Sequence, residues 1–232
     1  MERRKRRRVL AWVAVVAAGG PLAIVLQGGV LGGGGSVDIA SVGPPAASPA
    51  VGADRPPTAN LVVAKGAGVT LRLPVDRPRV TAIAFRAVDD PGAVALSPTG
   101  PLASHIAPSD GAPGPDTASV DVGAAAGTTV YSPVSGVMAS VTPYIIAGAE
   151  QGYEVVISPN GTSGVAVVMT HLDPPDGSNP PSVGSSVTAG VTILGRIRDF
   201  SSVGPQQLAQ YTADAGNHVH IEVVRSGAGL TS

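Results

Sequence analysis

Cysteine is absent from this 232-residue chain, which excludes disulfides and thiolate metal sites. Aromatic side chains are scarce, with two Phe, one Trp and four Tyr, so an apolar core must come mainly from Val, Ala, Ile and Leu. Between Arg86 and Arg196 there is no Lys or Arg. A nucleic-acid groove needs clustered cations on the folded surface, and that gap argues against such a partner. No long amphipathic helical pattern follows Leu26 either. What remains is a chain of short apolar runs punctuated by 31 Gly and 22 Pro.

The charge that is present is unevenly placed. Six of the fifteen basic residues lie between Arg3 and Arg8, which leaves nine basic against fifteen acidic residues from Val9 onward. The basic stretch, residues 1–8, runs directly into an apolar segment, residues 9–26, with no charge until after Val37. About eighteen apolar residues just suffice to cross a bilayer, and the preceding cations favour a cytoplasmic start. The expectation is a single-pass anchor with the rest of the chain extracytoplasmic. Gly19-Gly20-Pro21 interrupts the run, so a cleaved signal peptide, giving a secreted product, is the competing reading. Residues 27–60 are Gly, Ala, Ser and Pro in the main and read as a linker.

Beyond the linker the pattern is all-β. In residues 61–118, strand-like runs cover Leu61 to Ala64, Val69 to Leu73, Val80 to Val88 and Ala93 to Leu96. Turn chemistry separates them at Lys65-Gly66-Ala67-Gly68 and Asp89-Asp90-Pro91-Gly92. Ser97 to Ala118 is Pro- and Gly-rich and reads as an extended loop. In residues 119–226, strands are expected at Tyr153 to Ser158, Val165 to Thr170 and Val191 to Ile197, with a turn at Pro159-Asn160-Gly161.

The last apolar run contains Asn217-His218-Val219-His220-Ile221-Glu222. On a strand, His218 and His220 share one face and Val219 and Ile221 the other. Two imidazoles about 7 Å apart on a rigid strand can offer a metal ligand and a base together. Half of the four histidines in the chain stand here.

Four blocks, in this order, carry a resemblance. Asp121 stands six residues before Gly127-Thr128-Thr129-Val130-Tyr131-Ser132-Pro133; then come Thr170-His171-Leu172, Val183-Gly184-Ser185-Ser186-Val187-Thr188-Ala189-Gly190, and His218-Val219-His220-Ile221-Glu222. With these blocks the chain resembles the lysostaphin-like, LytM-type zinc endopeptidases of bacterial cell walls, over Asp121 to Val224. The resemblance implies an antiparallel β-sandwich with an open groove. It also implies Asp121 and His220 as zinc ligands, with His171 and His218 as catalytic residues that activate water or stabilise an oxyanion. Zinc lowers the pKa of its bound water to about 7, and a neighbouring imidazole can move the proton. The implied partner is peptidoglycan, or a cell-wall or membrane protein.

The chain departs from the family pattern where the first zinc-binding histidine is expected. Thr117 holds that position, four residues before Asp121, and Ser119 replaces the usual glycine. A catalytic zinc normally takes three protein ligands plus water, so His105, Asp110 or Asp116 would have to supply the third. Two functions follow: a divergent zinc endopeptidase that cuts cross-link peptides, or a degenerate LytM-like domain that binds a wall component or protein partner. Hybrid β-barrel modules of biotinyl and lipoyl carriers and of membrane-fusion adaptors share the Val-Gly-x-x-Val-x-Ala-Gly turn. No Lys lies beyond Lys65 to carry a cofactor, and no heptad pattern suggests an adaptor hairpin.

Overall fold

The computed structural model describes residues 61–175 and 179–226. The expected basic stretch at 1–8, anchor at 9–26 and linker at 27–60 lie outside the described residues. Thirteen strands follow in chain order: β1 (Val62–Gly66), β2 (Val69–Arg72), β3 (Ile83–Arg86), β4 (Ser97–Pro98), β5 (His105–Ile106), β6 (Ser119–Gly123), β7 (Thr129–Tyr131), β8 (Gly136–Ile146), β9 (Ala149–Pro159), β10 (Val165–Asp173), β11 (Ser186–Val187), β12 (Ile193–Ile197) and β13 (His218–Arg225). Among the described residues the only helices are two 3-10 turns, Arg77–Arg79 and Gln207–Gln210.

A small sheet in the order β2-β1-β4 accompanies a ten-stranded sheet whose main path is β11-β8-β9-β10-β13-β6-β3-β5, with β12 and β7 branching from β10. Pairing is antiparallel except between β3 and β5. The domain is therefore a mostly antiparallel β-sheet structure. Residues 61–118 and 119–226 share both the sheet and the core, because β3 hydrogen-bonds to β6 and one apolar cluster runs from Val63 to Val223.

Two tight hairpins use the same device. Gly66 pairs with Val69 across Ala67-Gly68, and Ile146 pairs with Ala149 across Ala147-Gly148. Both loop residues take positive φ in each turn (48° and 79°, 52° and 86°). This matches the twist of the flanking strands. Alanine is a weak marker for such a turn, and β8 is the one long strand missing from the sequence expectations. The expected strand Ala93 to Leu96 is instead a loop stitched to two elements. Ala93 forms an isolated bridge with Val224, Val94 N–H donates to the Val223 carbonyl, and Leu96 N–H donates to that of Thr117.

Alternation sets up the site. Val120 and Val122 of β6, Val219, Ile221 and Val223 of β13, and Ile83 and Phe85 of β3 enter the core. Their neighbours Asp121, His218, His220 and Arg86 consequently share the opposite face.

Candidate functional site

The site begins with strand register. His220 lies directly opposite Asp121 on the β13–β6 pair, and His218 lies opposite Gly123. On the other side of β6, Ala84 of β3 faces Asp121 and Arg86 faces Ser119. Arg86 is thus diagonal to Asp121 and within reach of its carboxylate. Thr170 of β10 sits opposite His220.

His171 arrives by a different route. In a regular strand it would follow Val167 and Met169 into the core. The β9–β10 register shifts between Met169 and Leu172, and His171 adopts φ 66°. This bulge turns His171 onto the histidine face and returns Leu172 to the core, a known use of bulges beside functional residues. The His171 ring lies 4.6 Å from that of His218 and 6.0 Å from that of His220, centroid to centroid. All four residues named from the sequence, Asp121, His171, His218 and His220, come together and are buried.

Charge then organises the cluster. Arg86 Nε donates to Asp121 Oδ2 at 2.9 Å, and His220 Nδ1 lies 2.5 Å from Asp121 Oδ1. His220 Nε2 lies 2.7 Å from Glu222 Oε1, two residues along the same face. Each ring nitrogen of His220 thus faces a carboxylate oxygen. Arg86 Nη2 also stands 3.1 Å from His220 Nδ1, so the guanidinium touches both Asp121 and His220. Burial alone would raise the Asp121 pKa, but His218, His220 and Arg86 outweigh it and hold the carboxyl well below its usual range. Burial would lower His220, yet the Asp121 charge and the hydrogen bonds to Asp121 and Glu222 raise it. Arg86 is raised because Asp121 overcomes its desolvation.

The other two histidines are neutral. Burial, followed by the neighbouring imidazoles, pushes His171 well below its ordinary value. Burial likewise lowers His218 against the pull of Asp121. His218 Nδ1–H donates to the Gly216 carbonyl at 2.8 Å, which leaves Nε2 as a bare lone pair 3.6 Å from Asp121 Oδ2. His218 Nε2 and His171 Nδ1 are both buried without a hydrogen-bond partner.

The segment after β12 packs against the His171 ring. Phe200 stacks obliquely on His171 at 4.3 Å, and Tyr144 approaches from β8 at 5.7 Å. Asn217 pins this segment: its Oδ1 accepts from Phe200 N–H at 2.9 Å and its Nδ2 donates to Asp199 Oδ1 at 3.2 Å.

A catalytic zinc needs lone pairs from about three protein ligands. Asp121 commits one oxygen to Arg86 and the other to His220, and His220 commits both nitrogens to carboxylates. Thr117 precedes β6, where its carbonyl accepts from Leu96. His105 is exposed on β5 and stacks on Tyr211 at 4.2 Å. Asp110 accepts from Gln207. Among the described residues no group of three or more His, Cys, Asp or Glu is arranged to hold a metal. As arranged, the donor set does not fit zinc.

Nothing along the sequence assigns a role to Arg86 or Phe200, and Glu222 enters there only as part of the His218–Glu222 block. Strand alternation was a usable signal for Glu222, two residues from His220. No spacing rule pointed to Arg86.

No known family matches the chain by sequence profile, and no curated protein matches it. Among solved structures, the chain is similar to the SpoIIQ–SpoIIIAH pore-forming complex at 21% identity and TM-score 0.31, covering 47% of this chain and 57% of that one. It is similar to Helicobacter pylori Csd3 at 18% identity and TM-score 0.35, covering 67% of this chain and 30% of that one. A zinc-containing peptidase from Vibrio cholerae shows 20% identity and TM-score 0.37, over 72% of this chain and 42% of that one. The chain thus spans between about a third and somewhat over half of these proteins. The likeness is partial, and the chemistry is read from the chain's own residues.

Proposed function

We propose that this chain is an extracytoplasmic LytM-like domain, tethered by residues 9–26, that binds a peptidoglycan peptide or a wall-associated protein without hydrolysing it. The observation that carries the reading is the commitment of Asp121 and His220. Their oxygens and nitrogens are spent on Arg86, Glu222 and each other, so a water-activating metal lacks its lone pairs. What remains for a ligand is His218 Nε2 and His171 Nδ1, both without partners. Neutral imidazoles of this kind suit a peptide N–H or a hydroxyl. His171 and His218 act here as binding rather than catalytic residues.

The test uses the full chain in detergent micelles with purified peptidoglycan, with and without added zinc. Cosedimentation with the wall and no release of soluble fragments is the expected result. Zinc-dependent release that disappears in His220→Ala would replace this reading with the endopeptidase.

A further inference from the structure

Asp121 and His220 are held together by a cation, and that cation is part of the chain. Arg86 Nε lies 2.9 Å from Asp121 Oδ2, and Arg86 Nη2 lies 3.1 Å from His220 Nδ1. His220 Nδ1 in turn lies 2.5 Å from Asp121 Oδ1. The guanidinium thus bridges the same two residues that a divalent ion would bridge. Glu222, bound to the far nitrogen of His220 at 2.7 Å, occupies the place of the carboxylate that commonly orients a metal-ligating histidine. The surrounding arrangement is therefore that of a metal centre with its ion exchanged for resident charge.

We infer that the Arg86 guanidinium takes the place of a divalent metal between Asp121 and His220, and that the site is a latent metal centre kept closed by the Arg86 side chain. This rests on the non-hydrolytic reading above and adds to it the identity of the group that excludes the metal. The donor is specific to this fold. β3 lies against β6 in a register that places Arg86 on the same face as Asp121, and β3 precedes the LytM-like blocks. The Arg86 side chain is also partly exposed, at 29% against 2% for Asp121, so a shorter side chain at this position would leave an approach for an ion.

Position 86 suits a third ligand. An imidazole there reaches about as far from the strand as the guanidinium Nε does. With Arg86 gone, His220 Nδ1 can offer a lone pair while Nε2–H stays on Glu222. The Asp121 and His220 donor atoms would then part from 2.5 Å to about 3.4 Å, the separation of two ligands each about 2.1 Å from a tetrahedral zinc.

The experiment compares the wild-type full chain with Arg86→His in detergent micelles, by zinc titration calorimetry and by thermal melting with zinc, magnesium or chelator. The wild type is expected to bind no zinc at micromolar concentration and to melt at the same temperature in all three conditions. Arg86→His is expected to take up one zinc per chain, at least about a hundredfold tighter than wild type, with a melting temperature raised by zinc and not by magnesium. If Arg86→His folds only when zinc is present, that is the same result. Stoichiometric zinc in the wild type would overturn both this inference and the non-hydrolytic reading. A wild type without zinc, together with an Arg86→His chain that zinc neither binds nor rescues, would overturn this inference alone.

Discussion

Removing the Asp121 carboxylate would leave the Arg86 guanidinium and His220 without their shared partner on one strand face. Arg86 Nε–H donates to it and His220 Nδ1 lies 2.5 Å from it, and removing one partner is the expensive way to break an ion pair. Asp121→Ala should cost about 3 kcal/mol, the low end of the range for such losses because Arg86 is partly exposed. Denaturant unfolding at neutral pH reads this directly. A loss below about 1 kcal/mol, the value of a solvated surface pair, would mean that the network contributes little. Arg86 also illustrates what chain position conceals. It is the last cation before the long stretch without Lys or Arg, and in sequence it marks only a boundary. Its role depends on which residue of β6 its strand faces, and that pairing spans 35 residues.

Among the elements, the β9–β10 bulge matters most to the site. Gly152 of β9 has φ 81°, and a Cβ there would stand 2.1 Å from the Leu172 carbonyl oxygen. No side chain can be placed in that gap without moving β10. Gly152→Ala should destabilise by about 3 kcal/mol, combining overpacking with left-handed backbone strain. Because the same bulge turns His171 out of the core, the substitution should also shift the His171 ring resonances. A destabilised variant with unchanged His171 resonances would show that the bulge does not seat this histidine. The β8–β9 hairpin shows where local rules run out. Its Ala147-Gly148 turn has the geometry of an Asn-Gly turn without the residue that usually announces it. The pairing of two eleven-residue strands holds Ala147 in a conformation it does not favour alone.

For the whole molecule, the buried histidines set a pH dependence. His171 and His218 have lowered pKa values in the fold, so their contribution is present above the unfolded value of about 6.5 and is lost as pH falls below it. His220 is raised, so its contribution is present below about 6.5 and is lost as pH rises through its folded value. Asp121 is depressed, and its contribution is present above the unfolded carboxylate value of about 3.9 and is lost in acid. Below pH 6.5 the two refusing histidines outnumber the one accepting. The denaturant midpoint should therefore fall between about pH 6.5 and 5. A midpoint that rises over that interval would contradict the neutral state assigned to His171 and His218.

The all-β character, the His-x-His strand and the face shared by His218 and His220 were legible in the sequence. They depend on alternation and turn residues, which act over a few neighbours. The same rule reaches Glu222, and four ordered blocks brought Asp121 and His171 onto the list of site residues. Tertiary structure alone decided what those residues do together. A strand from residues 83–86 pairs with β6 and delivers Arg86, a bulge redirects His171, and Phe200 packs against the His171 ring. Each of these depends on register between segments far apart in the chain. Register is set by which apolar faces bury best against one another, so no local pattern along the sequence encodes it.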